Sequence, residues 1–395
     1  MGIYNISDQI VFKILRNIEQ GYLEIIKYDG ELLKFGNPNS SLKSVLKIKK
    51  PSFSFNLIKG GSVGFAESYM RDEFETDNLS NLIEITARNI KIIYKFSGLL
   101  DFPIVNYVKN IFIKNTRGRS KENISKHYDL GNEFFALWLD KTLTYSSAIF
   151  DERNKELSNA QNNKYQKLID LIRPNNGDKI LEIGCGWGGF AEYLGKKYDV
   201  KLDCITISKK QFEFSKNRIS ASGLDNKVNV KFLDYRDVKD KYDNIASIEM
   251  IEAVGENYLD KYFSTIKNSL KINGTAAIQG ITISDNLFER YRRNEDFIQK
   301  YIFPGGFLPS EKLINQLIKK HKLSLGTINS YANDYAKTLN IWKSNFLNAW
   351  KNISPLGFDE AFKRMWEFYL SYCEAGFKSK NINLIQFSMS NNQNV

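Results

Sequence analysis

The chain holds 395 residues, 42% of them apolar and 26% charged, with 7 prolines, a composition that excludes disorder and a collagen-like repeat. Its length exceeds one ordinary hydrophobic core, so two domains are expected, one of them a full α/β unit. A formal charge of +11 favours an anionic partner, nucleic acid or anionic lipid, without separating the two, and a generally basic proteome gives the same value.

In chain order, residues 1–115 read as a small α+β domain. Met1 to Asn5 lacks the basic patch, apolar run and cleavage site of a secretory signal, which makes a cytosolic protein the expectation. A helix is predicted from Ser7 to Glu19. Asp29-Gly30, between two apolar arms, predicts a hairpin with a type I′ turn, in which both central residues need positive φ. Val45 to Phe55 reads as a further strand, weakened at Lys49-Lys50-Pro51. Gly60 to Met70 reads as a glycine-loosened segment entering a helix. The lipophilic stretch from Ile83 to Ile113 is interrupted by Lys91, Lys95, Asp101 and Lys109 and broken by Pro103, so no membrane span is expected. From Lys109 to Lys126, six basic residues against Glu122 read as a linker, either merely solvated or docking to anionic headgroups.

From about Pro174 short apolar runs alternate with helical segments, the pattern of a parallel sheet with crossover helices. Strands are predicted at Lys179–Ile183, Lys201–Thr206, Val228–Phe232, Asn244–Glu249 and Gly274–Ile281, with helices near Phe190–Lys197, Lys209–Ser222 and Asn257–Leu270. Strands at Ser324–Ser330 and Asn383–Met389 complete a seven-stranded Rossmann-like α/β sheet. A helical lid is expected near 282–323. Cys185, Cys204 and Cys373 form no CxxC pair, and His127 and His321 lie far apart, so neither disulfides nor structural zinc are expected.

The strongest local signal is Glu182-Ile183-Gly184-Cys185-Gly186-Trp187-Gly188-Gly189, a buried strand feeding a glycine turn that opens a helix. Such a turn serves NAD, FAD and S-adenosylmethionine alike. A dinucleotide enzyme is expected to carry an acid at the tip of its second strand, and here that tip reads Thr206-Ile207-Ser208, which counts against NAD. Ser208 and Gln211 have the spacing of a reciprocal capping box, and the Gln211 amide can still turn toward a ribose. Asp234-Tyr235-Arg236-Asp237 offers an aromatic face for an adenine, or is a surface turn.

More specific blocks surround this turn. They are His127-Tyr128-Asp129, Thr144-Tyr145-Ser146-Ser147-Ala148, Thr206-Ile207-Ser208-Lys209-Lys210-Gln211, Glu249-Met250-Ile251-Glu252-Ala253-Val254-Gly255, Tyr301-Ile302-Phe303-Pro304-Gly305-Gly306 and Asp334-Tyr335. Over nearly the full chain they resemble the cyclopropane fatty acid synthase family. The resemblance implies an S-adenosylmethionine-dependent methyltransferase domain over 116–395, preceded by an accessory domain over 1–115 that contacts lipid or a second copy of the chain. It implies that Tyr145 and Ser146 help hold the cofactor, with Gly184, Gly186, Thr206, Gln211 and Tyr235 lining the rest. It also implies a bicarbonate ion beside the transferred methyl, held by Ser147, Glu252, Gln279, the backbone near Ile281, and Tyr335. Family members usually carry cysteine where this chain has Ser147 and often histidine where it has Gln279; both replacements still donate hydrogen bonds.

The reaction so implied is methylene transfer to a cis double bond of a phospholipid acyl chain, giving a cyclopropane. An activated methyl meets a weak alkene nucleophile in a dry site, aromatic faces stabilise the cation, and bicarbonate takes the proton. Glu252 would orient that anion in its protonated form, or through a shared proton, because two full negative charges repel. The implied setting is the cytoplasm, at the inner membrane face, on anionic lipid. Competing readings are simple methylation of the alkene, a small-amine N-methyltransferase, a catalytically silent lipid-binding protein, and an RNA methyltransferase. No RNA-binding signature supports the last. Bland roles stand beside the functional ones: an ion pair for Glu252, a packed ring for Tyr335, a helix-entry hydrogen bond for His127, and a small buried side chain for Cys373.

Overall fold

The computed structural model describes residues 3–97 and 130–392; the predicted basic linker and His127 lie outside the described residues. Among the described residues the chain forms two compact units. One takes in 3–97, 290–302 and 339–381, and the other 130–289, 303–338 and 382–392.

The first unit is built on a four-stranded sheet, β1 (Tyr22–Ile26), β2 (Leu32–Gly36), β3 (Lys43–Ile48) and β4 (Phe74–Thr76), in the order β2-β1-β3-β4. Alternation explains its core face, since Leu23, Ile25, Leu46 and Ile48 are buried while their neighbours point away. The hairpin joins β1 to β2 antiparallel, but not through a type I′ turn. Gly30 alone has positive φ (88°), while Asp29 instead accepts from the Glu31 N–H at 3.1 Å and pairs with Lys27. The strand expected to reach Phe55 ends at Ile48. Beyond it the Lys49 and Lys50 N–H groups turn to the Glu73 carbonyl, Pro51 has no donor to offer a ladder, and Phe53 already begins a helix. That helix, Phe53–Met70, breaks at Gly61 (φ 53°, ψ −131°), as the glycine-loosened segment predicts. The opening helix spans Ile3–Leu15, earlier than expected. Helix Glu360–Lys378 belongs to this unit too: its buried Glu374 accepts from Ser80 Oγ at 2.6 Å and Lys343 Nζ at 2.9 Å, a buried ion pair with its remaining valences met.

The second unit contains the seven-stranded sheet, β5 (Lys179–Ile183), β6 (Lys201–Thr206), β7 (Val228–Phe232), β8 (Tyr242–Ile248), β9 (Leu270–Ile283), β10 (Ser324–Ser330) and β11 (Ile382–Ser390). Its order is β10-β11-β9-β8-β5-β6-β7. β5 to β9 run parallel, and β11 pairs antiparallel with both β9 and β10. All seven predicted strands are present, with β8 and β9 starting earlier than expected. The core under the sheet joins Leu168, Ile169 and Ile172 of helix Leu157–Ile172 to Ile180, Leu202 and Phe190. The strand order reverses between β5 and β8, the switch point where an open α/β sheet leaves a crevice at its carboxyl ends. The expected lid segment holds helix Asp285–Arg293, a π-helical turn Ile298–Ile302 and helix Glu311–Lys320. No helix among the described residues is long and apolar enough to cross a membrane.

Candidate active site

At the carboxyl end of β5 the chain turns through Gly184 (φ 83°) and Gly186 (φ 53°), both in the region that favours glycine. A Cβ on Gly184 would approach Met250 Cγ to 2.8 Å, whereas one on Gly186 would meet nothing within 4 Å. Gly186 therefore leaves its backbone open to a ligand. The turn is tied to β6 by Gly184 and Cys185 N–H groups, both donating to the Ile205 carbonyl at 3.0 Å.

At the β6 tip the expected capping box forms by half. Ser208 Oγ accepts from the Gln211 N–H at 3.3 Å, but the Ser208 N–H goes to Thr206 Oγ1, which itself donates to Gln211 Oε1 at 3.1 Å. Thr206 thus stands between the two residues of the box and fixes the Gln211 amide. Tyr235 lies in a short 3-10 turn after β7, capped by Asp234, with its ring 5.6 Å from that of Tyr262. Tyr145 is linked to the glycine turn through Phe135, whose ring lies 5.1 Å from Tyr145 and 5.0 Å from Trp187. Ser146 is held twice: Lys164 Nζ donates to its Oγ at 2.7 Å, and Gln161 Nε2 donates to its carbonyl at 2.9 Å. An open backbone approach at Gly186, an oriented amide at Gln211 and flanking aromatic rings fit S-adenosylmethionine.

Three of the residues expected around the transferred methyl, Ser147, Gln279 and Tyr335, converge on a carboxylate to which the sequence assigns no role. Glu249 follows β8 directly and holds φ at 47°, its N–H donating to the Gln279 carbonyl at 2.8 Å. Its Oε1 accepts from the Ser147 N–H at 2.8 Å and from Gln279 Nε2 at 2.8 Å, and its Oε2 accepts from the Tyr335 hydroxyl at 2.6 Å. The Ser147 hydroxyl donates elsewhere, to the Ala148 carbonyl, so Ser147 reaches Glu249 through its main chain. Gln279 is aimed by its register partner on β11: Gln386 Nε2 donates to Gln279 Oε1 at 2.9 Å, which leaves the Gln279 NH2 facing Glu249.

Glu252 stands on the short helix Ile251–Val254, and its Oε1 accepts from the Ile281 N–H at 2.5 Å. Its Oε2 is buried and has no hydrogen-bond partner among the described residues. Burial, and then the charge of Glu249, push the Glu252 carboxyl up to about 8. Burial also raises Glu249, opposed by the Tyr335 hydroxyl, the charge of Lys164 and the Ser147 and Gln279 donors. Both carboxyl groups are enclosed, while the two residues as a whole are half-buried. The charge on one carboxylate opposes a charge on the other, so the pair favours a single ionisation, with the proton held on Glu252.

Lys164 is fully buried and pushed down to about 7 by that burial, against the charges of Glu249, Asp140 and Glu182. Glu182, in β5, is pushed up to about 8 by burial. Sequence reasoning gave neither a role. A signal for Lys164 exists: it shares the apolar stripe of helix Leu157–Ile172 with Ala160, Gln161 and Leu168, where a charged side chain has no solvated face.

The family model described as mycolic acid cyclopropane synthetase matches residues 115–387. The chain is 33% identical over 375 residues to tuberculostearic acid methyltransferase UfaA1 of Mycobacterium tuberculosis, covering 93% of this chain and 87% of that protein. It is 33% identical over 357 residues to the cyclopropane-fatty-acyl-phospholipid synthase of Escherichia coli, covering 89% of each. Among solved structures it is similar to mycolic acid cyclopropane synthase CmaA1 complexed with SAH and CTAB, with a TM-score of 0.65 at 29% identity, over 68% of this chain and 98% of that one. These likenesses and the seven-stranded sheet place the chain in the mycolic acid cyclopropane synthetase family, as an S-adenosylmethionine-dependent C-methyltransferase.

Proposed function

We propose that the protein adds a methylene group across the cis double bond of an unsaturated phospholipid acyl chain and closes it to a cyclopropane. The observation that carries this reading is the pair of enclosed carboxylates, Glu249 and Glu252, ringed by Tyr335, Gln279 and Ser147 at the carboxyl end of β8. Ring closure needs a group that takes a proton where water is excluded, and a carboxylate pair split between protonated and ionised forms supplies one. When bound, S-adenosylmethionine supplies an electrophilic methyl. Gly184, Gly186, Thr206, Gln211, Tyr235, Tyr145 and Ser146 would hold it, and the aromatic rings beside Tyr145 would lower the energy of a cation on the lipid.

Bicarbonate does not fit the ligand set that the resemblance assigns to it. Ser147, Gln279 and Tyr335 direct their donors to Glu249, and the Ile281 N–H is taken by Glu252. The likeness to a tuberculostearic acid methyltransferase over 93% of the chain supports a second reading, methylation of the alkene to a branched or methylene-bearing chain. Mass spectrometry of unsaturated phospholipid treated with enzyme and cofactor separates the two. A gain of one CH2 with loss of the double bond supports ring formation; the same gain with an alkene retained supports the second reading.

A further inference from the structure

Three of the donors expected to hold a small planar anion hold a carboxylate of the chain itself. Carboxylate and bicarbonate present the same pair of acceptor oxygens, so a site built for one serves the other. From this convergence we infer that Glu249 is the base that removes the proton from the transferred carbon, making an external bicarbonate dispensable. The inference rests on the ring-forming reading above.

The backbone adds an independent observation. Glu249 is a non-glycine residue held at φ 47°, a strained conformation for an L-residue that persists where the surroundings impose it. The chain accepts that strain at the one point where β8 ends, and the side chain so placed is a carboxylate rather than the glycine the backbone favours. The hydrogen-bond inventory also leaves capacity for the proton. A carboxylate offers about four lone-pair sites. Ser147 and Gln279 occupy Oε1 and Tyr335 occupies part of Oε2, so among the described residues Oε2 retains a site. Partial desolvation makes the carboxylate a stronger base than one in water, while the Tyr335 hydroxyl and the charge of Lys164 oppose its protonation before reaction.

The step balances without another reactant. The alkene π pair forms a bond to the methyl carbon as its bond to sulfur breaks, leaving the demethylated cofactor and a cation on the acyl chain. Glu249 then takes a proton from the former methyl, and the C–H pair forms the second ring bond. The proton leaves Glu249 for solvent before the next turnover.

Wild type, Glu249→Gln and Glu249→Gly are compared on unsaturated phospholipid vesicles in buffer stripped of carbon dioxide, with cofactor binding measured by calorimetry. Wild type is expected to form ring equally well with and without added bicarbonate. Glu249→Gln is expected to lose about 10²-fold in ring formation, the scale of a missing general base, with cofactor affinity unchanged. Its lipid product should shift toward addition of methyl and hydroxyl across the double bond, as water captures a cation that cannot lose its proton. Glu249→Gly relieves the backbone and vacates the carboxylate, so added formate or bicarbonate should restore part of the rate. Ring formation that survives Glu249→Gln, or a wild type that requires bicarbonate, overturns the inference alone. A wild type that leaves the lipid's mass unchanged overturns the ring-forming reading and the inference with it.

Discussion

Lys164 and Ser146 meet in the interior of the second unit, ammonium to hydroxyl at 2.7 Å, with the lysine fully buried and its charge faced by Glu249, Asp140 and Glu182. A buried cation that donates to a neutral hydroxyl is held there by the field of its neighbours rather than by a single partner.

Lys164→Met is expected to weaken S-adenosylmethionine binding by roughly tenfold, about the worth of one charge-assisted hydrogen bond that orients Ser146. The same variant tests the protonation of Lys164. Its folded value of about 7 lies below its ordinary value of 10.5, so between those limits the unfolded chain holds a proton the folded one has released. Stability therefore gains with rising pH across that window through this group. Denaturant melts at pH 7 and pH 10 should show a smaller gain in Lys164→Met than in wild type; an equal gain shows that Lys164 does not titrate there.

Glu252 has the opposite sign. Its folded value of about 8 lies above its ordinary 4.5, so the stability it contributes is full at low pH and is lost as pH rises through 8. Glutamine imitates the protonated acid, one oxygen still accepting from the Ile281 N–H. Glu252→Gln is expected to keep within about tenfold of wild-type turnover, far above Glu249→Gln, and to flatten the alkaline limb of the pH–rate profile. A loss as deep as that of Glu249→Gln would show that Glu252 must ionise.

Gly184→Val and Gly186→Val address the cofactor turn from two sides. At Gly184 a side chain meets Met250, so both folding and binding should suffer; at Gly186 it enters open space at positive φ, so binding should be lost by more than the modest loss of thermal stability explains. Calorimetry against the cofactor and a thermal melt separate the two, and undiminished affinity in Gly186→Val removes the turn from the site.

With a charge of +11, docking to a bilayer is expected to be electrostatic. Co-sedimentation with vesicles should rise with anionic lipid and fall with salt, since exposed charges are screened over about 10 Å at 0.1 M ionic strength. Binding indifferent to both would make the charge a feature of composition alone.

Most of the seven strands were legible because they carry apolar runs bounded by polar turns, β10 being the polar, largely exposed exception, and the glycine turn because Gly184 and Gly186 must adopt positive φ. The β3 boundary is hidden in the sequence because Ser52-Phe53-Ser54-Phe55 alternates polar and apolar as a strand does, and only the Glu73 carbonyl that draws off Lys49 and Lys50 shows where the ladder stops. Glu249 was visible as a letter in a motif but not as a centre. Its meaning lies in donors from positions 147, 279 and 335, which no local pattern brings together. Gln386 was hidden for the same reason, being an ordinary polar residue in a strand whose register alone sets it opposite Gln279.

That register has a consequence for biosynthesis. The amide that faces Glu249 is oriented from residue 386, on the strand added last in chain order to the middle of the sheet, between β9 and β10. A slip of one residue would turn Gln386 to the other face. Ribosome-bound chains that already contain Ser147, Glu249, Gln279 and Tyr335 would therefore hold their reactive carboxylate without its final support, and ring closure becomes efficient only after β11 has emerged and slotted home.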